Sequence, residues 1–86
     1  MAIEVRVTYD MSKTLGTDRF EVEGAATVAD VVRLAGERFP DASSFAELSS
    51  RAAIAVNGVL ASHRRGMKTP LRDGDPVTFV KSAAGG

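Results

Sequence analysis

Ile3, Val5, Val7 and Tyr9 alternate with Glu4, Arg6 and Thr8, the two-residue period of a strand with one buried face. After a polar connection containing Ser12, Lys13 and Gly16, Phe20 and Val22 alternate with Arg19, Glu21 and Glu23. This predicts a second strand returning antiparallel to the first and ending at Gly24. The period then changes. Val28, Val31, Val32, Ala35 and Phe39 fall at helical spacing, and Thr27 just before them is the expected N-cap. Asp30 in the first turn suits the helix dipole, although Glu or Gln is the stronger capping-box partner. Pro40 is expected to stop this helix.

Residues 43–50 can form a short helical turn that tucks Phe45 and Leu48 against the core. Ile54 and Val56 read as a third strand, Asn57-Gly58 as a tight turn, and Val59-Leu60 as a short fourth strand. Residues 61–70 read as a polar, basic loop and Asp73-Gly74 as a further turn. The last strand holds Val77, Thr78, Phe79 and Val80, with Val77 and Phe79 on one face. Pro76 at its start is tolerated because the first residue of a strand can lack a ladder N–H. The order β-β-α-β-β-β predicts an α+β fold, a mixed four- to five-stranded sheet packed on one main helix. Ile3, Val5, Val7, Val31, Ala35, Ile54, Val56, Leu71, Val77 and Phe79 are the expected core. Residues 1–81 would form the domain, and 82–86 a flexible tail ending in Gly85-Gly86.

A length of 86 residues allows one small domain. The chain has no cysteine, which excludes disulfides, thiolate metal sites and a cysteine nucleophile. No basic region precedes an apolar stretch, and no run approaches the ~20 residues of a membrane span; the cytoplasm is the expected compartment. Zero net charge argues against non-specific nucleic-acid binding. Charge is unevenly spread, however: residues 1–43 carry five Lys/Arg against eight Asp/Glu, and residues 44–86 six against three. A mildly basic face toward the C-terminal half could steer docking to an acidic partner.

The tail points to chemistry. Glycines without Cβ atoms can thread a narrow enzyme channel in backbone conformations closed to other residues. A carboxylate at Gly86 is a poor electrophile until it carries a better leaving group, which adenylylation by ATP on a partner enzyme would supply. Nothing else offers a catalytic constellation: His63 is the single histidine, in an expected exposed loop, and no phosphate loop is evident. The chain is therefore expected not to be an enzyme by itself and to bind no metal or cofactor.

Taken together, the sequence resembles the bacterial and archaeal ubiquitin-like sulfur carriers, which include the small subunit of molybdopterin synthase and the thiamin sulfur carrier. The resemblance rests on Thr27-Val28-Ala29-Asp30-Val31, Val56-Asn57-Gly58, the run from Thr69 through Arg72-Asp73-Gly74-Asp75 to Val77, and Gly85-Gly86. It implies a β-grasp (ubiquitin-like) fold. It also implies that a ubiquitin-activating-like adenylyltransferase adenylylates Gly86, that a sulfur donor converts the acyl-adenylate to a thiocarboxylate, and that the sulfur passes to an accepting biosynthetic enzyme. By position, Val80 and Leu60, with Thr8 close by on strand one, would form an exposed docking patch. Arg64, Arg65 and Lys68 in the adjoining loop would assist it.

Two features depart from familiar members. Val80-Lys81-Ser82-Ala83-Ala84 precedes the glycines where molybdopterin-synthase subunits usually carry prolines and a bulkier apolar residue. The connection from Asn57 to Pro70 is also longer than in compact members. Both look more like members serving cysteine or other sulfur metabolites, which leaves the sulfur acceptor open. Two rival readings are a protein modifier joined to lysines through Gly86 and a non-catalytic β-grasp binding module.

Overall fold

A computed structural model describes residues 2–39, 45–50 and 52–81. Along the chain lie β1 (Ala2–Arg6), α1 (Tyr9–Leu15), β2 (Arg19–Glu23), α2 (Val28–Arg38), α3 (Phe45–Ser50), β3 (Ala52–Val56), β4 (Val59–Leu60) and β5 (Pro76–Lys81). The five strands form one mixed sheet in the order β2-β1-β5-β3-β4. β1 and β5 pair in parallel at its centre, and the other neighbours are antiparallel. This is the β-grasp, ubiquitin-like arrangement, with the sheet curled around α2.

The strand period decides which face is covered. Ile3 and Val5 on β1, Phe20 and Val22 on β2, Val56 on β3, and Val77 and Phe79 on β5 are buried together with Val28, Val31, Val32 and Ala35 of α2. Val7 and Ile54, also expected inside, are partly buried and pack against this cluster, and Leu71 is buried within it. Phe45 opens α3 and is buried, with its ring edge-on to Phe79 at 5.5 Å and to Phe20 at 6.3 Å. Phe39 packs edge-on to Phe20 at 4.9 Å. Interlocked aromatic edges of this kind add to the stabilisation that area burial alone provides.

Thr27 caps α2 as expected, and Asp30 completes the box despite its short side chain. Thr27 Oγ1 accepts from Asp30 N, while Asp30 Oδ2 accepts from the backbone N–H groups of Thr27 and Ala26. The helix ends at Arg38 with Phe39 as its C-cap; Pro40 lies outside the described residues, as does the side chain of Leu48. The Asn57-Gly58 turn is present, with φ of 52° and 79°, the positive pair that a two-residue hairpin of this twist requires.

The segment read as a polar connection is helical. Residues 9–15 form α1, so Tyr9 does not continue the first strand: it begins the helix and is 74% exposed. Met11 is buried and Leu15 packs partly against the core, one turn apart on the same helix face. Thr8 and a left-handed Gly16 close the two ends. The loop at 61–70 is also more ordered than expected, because Ala61–His63 and Gly66–Lys68 are 3₁₀ turns. Thr69 is fully buried beneath them; its Oγ1 donates to Gly66 O and accepts from Arg65 N. The following residues are stitched to the start of α2 by Val28 N–H to Thr69 O and Leu71 N–H to Ala26 O. Among the described residues, no helix is long and apolar enough to cross a membrane.

Candidate functional site

Because α2 covers one face of the sheet, the other face is the surface available to a partner. Register places one row of residues across all five strands: Arg19 on β2 opposes Arg6 on β1, Arg6 opposes Thr78 on β5, Thr78 opposes Ala55 on β3, and Ala55 opposes Leu60 on β4. Four strand spacings make this row roughly 19 Å long. One pleat closer to the end of β5, Val80 opposes Ala53. Val80 and Leu60 are each 36% exposed. Between them on β3, Ala53 is half-buried and Ala55 is buried, so Val80 and Leu60, flanking β3 on β5 and β4, carry the exposed apolar strip of this face.

The predicted site residues are thus only partly brought together. Val80 and Leu60 share the outer face. Thr8 does not lie on β1: it follows the strand as the N-cap of α1, half-buried, with its Oγ1 accepting from Met11 N at 3.1 Å and its carbonyl accepting from Ser12 N at 2.9 Å. Its hydroxyl is therefore committed to the helix. In register Thr8 stands two residues beyond Arg6, as Val80 stands two beyond Thr78, so its backbone reaches the level of Val80.

Arg64, Arg65 and Lys68 are exposed on the 3₁₀ segment. The charge of Arg64 is felt by Asp75, immediately before Pro76 at the start of β5. A strand rise of about 3.3 Å per residue sets Val80 roughly 13 Å further along β5. All three cations adjoin Leu60 through the chain, and of them Arg64 lies near Asp75, before the start of β5. Gly85 and Gly86 lie outside the described residues and follow Lys81 in sequence.

Two carboxylates have structural assignments. Asp75 is held below the usual aspartate range by the N–H of Arg72 at 2.8 Å and then by Nδ2 of Asn57 at 2.9 Å. Asp30 is held low chiefly by the Ala26 N–H, with Arg33 and the Thr27 N–H adding to it. Both stabilise turns rather than face a pocket. Among the described residues, no cluster of three or more His, Cys, Asp or Glu side chains could hold a metal. Sequence reasoning missed Arg6, Arg19, Thr78, Ala53 and Ala55 as parts of this face. They come from four separate strands, and only the register unites them.

The ThiS family model matches residues 6–86. No curated protein matches. Among solved structures, small archaeal modifier protein 1 from Methanosarcina acetivorans is 20% identical over 99% of this chain and 96% of its own, with a TM-score of 0.77. The Haloferax volcanii HVO 2177 protein is 27% identical over 100% of this chain and 87% of its own, with a TM-score of 0.75. A chain of the Amycolatopsis orientalis BexX/CysO complex is 21% identical over 98% of this chain and 99% of its own, with a TM-score of 0.76.

Proposed function

The chain belongs to the ThiS family of ubiquitin-like sulfur carriers, and from that premise we propose that Gly86 is its reactive residue. An activating adenylyltransferase uses ATP to join the Gly86 carboxylate to AMP, with release of pyrophosphate. A sulfur donor then attacks the acyl carbon, AMP leaves, and a thiocarboxylate remains to donate sulfur to a biosynthetic enzyme. The chain itself binds no cofactor in this scheme and catalyses no step.

The observation that carries this reading is the placement of β5. Its inner residues Val77 and Phe79 anchor it in the core, its outer residue Val80 is exposed on the apolar strip, and the chain passes from Lys81 into residues 82–86. A partner seated on Val80 and Leu60 would stand next to the start of the tail. Small side chains and two glycines at 82–86 give the tail little bulk, so it can enter a narrow site while residues 1–81 remain folded outside. That the family match runs through Gly86 supports this assignment. Likeness to the BexX/CysO complex supports a working mode in which such a carrier acts with partner proteins.

Fold likeness to a protein named as a modifier favours a second reading, in which a lysine amine replaces the sulfur nucleophile at the same adenylylated Gly86. The two readings separate in one experiment: the chain is incubated with ATP, the activating enzyme and a sulfur donor, and its mass is followed. Exchange of one oxygen for sulfur supports the carrier; conjugation to lysine under sulfur-replete conditions supports the modifier.

A further inference from the structure

Arg6 and Arg19 face each other directly across the β1–β2 ladder, and the next outward-facing pair is Glu4 opposite Glu21. Like charges directly opposite each other destabilise a sheet, and exchanging Arg19 with Glu21 would create two attractive pairs from the same composition. The strand pair is instead polarised along its length. Its basic end lies where β5, parallel to β1, runs out toward Lys81; its acidic end lies beside the start of β5.

Around the two arginines is an open depression of about 290 Å³ lined by Arg6, Val7, Asp18 and Arg19. Arg6 places Nε 3.2 Å from Glu4 Oε1 with its side chain 55% exposed, a contact that does not use its Nη groups. Arg19 is exposed and forms no side-chain ion pair among the described residues. Arg6 is also the register neighbour of Thr78, one pleat from Val80. Val80 and the two arginines therefore lie on the same, outer face of neighbouring strands.

We propose that the Arg6–Arg19 pair receives a carboxylate side chain of the activating enzyme, beside the entrance that takes the tail, and that the Glu4–Glu21 pair opposes reversed seating. This rests on the function proposed above. Arginines at directly opposed positions that line one depression can both donate to one carboxylate, whose planar geometry a guanidinium matches.

The test measures association of the full chain with the activating enzyme at low and high salt, using Arg6→Gln/Arg19→Gln and, as the opposite-sign control, Glu4→Gln/Glu21→Gln. The double arginine variant should associate ~10-fold more slowly at ~50 mM salt and approach wild type near ~0.5 M, where screening is nearly complete. The double glutamate variant should associate as fast as wild type or faster. At saturating carrier the maximal rate of Gly86 activation should be unchanged, because the arginines dock and take no part in the chemistry. Wild-type association by the arginine variant at low salt, alongside impaired binding by Val80→Asp, would overturn the inference and leave the proposed function standing. A slowing that persists unchanged at high salt, or that tracks a loss of folded protein by circular dichroism, would overturn it as well. Failure of the wild-type chain to be activated would overturn both.

Discussion

Val80 lies opposite Ala53 across the β5–β3 ladder, and the last apolar side chain before the tail stays exposed beside a half-buried neighbour. Leu60, opposite Ala55, is exposed in the same way. On the other face of the same strands, Phe79 opposite Ile54 and Val77 opposite Val56 face the core. One pair of strands thus holds the fold with alternate residues and leaves the others for a partner.

If the strip docks the activating enzyme, Val80→Asp and Leu60→Asp should each weaken binding by at least ~10-fold, about 1.4 kcal/mol, as expected for apolar contacts central to an interface. Circular dichroism should remain that of the folded protein, because both side chains lie outside the core cluster. Titration of labelled variants into the enzyme measures this directly, and unchanged affinity in both would move the docking surface elsewhere.

Phe79→Ala addresses the opposite face. Phe79 is 2% exposed and meets Phe45 edge-on, so truncation should cost about 3–5 kcal/mol in urea unfolding, the range for large buried aromatics. A loss under ~1 kcal/mol would mean that the core closes over the gap far better than close packing allows.

Thr8→Ala separates a capping role from a contact role. Loss of the Oγ1 acceptor for Met11 N should lower stability by about 1 kcal/mol, and Thr8→Ser should restore most of it. Affinity of the folded variant for the activating enzyme should stay within ~2-fold of wild type, because the hydroxyl is already engaged. A large loss of affinity at unchanged stability would return Thr8 to the docking surface.

Asp75 gives a pH dependence of defined sign. Its carboxyl is held low in the folded protein by the Arg72 N–H and by Asn57. The stability it contributes is therefore fully present above the ordinary aspartate value of about 3.9 and is lost as pH falls through the lower, folded value. Asp75→Asn should destabilise the protein at pH 7, and the difference should shrink as pH falls below the ordinary aspartate value. Urea melts of the two proteins across this range show whether the gap closes on acidification; a gap that widens would contradict the hydrogen-bond assignment.

Most of the fold was legible in the sequence because its signals are local. Alternation marked β1, β2 and β5, helical spacing with Thr27 and Asp30 marked α2, and Asn57-Gly58 marked the hairpin. Helix α1 was missed because two apolar positions, Met11 and Leu15, are too few to establish a period, and because Tyr9 extended the alternation of β1 by chance. Thr8 followed by Met11 and Leu15, with Gly16 closing the turn, was the available signal. The outer face was only half legible. Val80 and Leu60 followed from the family resemblance, whereas the opposition of Arg6 and Arg19 depends on strand register across 13 positions of sequence. Adjacency to Leu60 in the chain points to Arg64, Arg65 and Lys68 instead, of which Arg64 lies near Asp75 before the start of β5.

The most direct measurement is intact and fragment mass spectrometry of the chain after incubation with ATP, the activating enzyme and a sulfur donor. The expected result is replacement of one oxygen by sulfur, confined to Gly86, and abolished by deleting Gly86 or by adding one residue after it while the fold is retained. Sulfur incorporation that persists in the Gly86 deletion, or a lysine conjugate formed in place of the thiocarboxylate when sulfur is abundant, would contradict it.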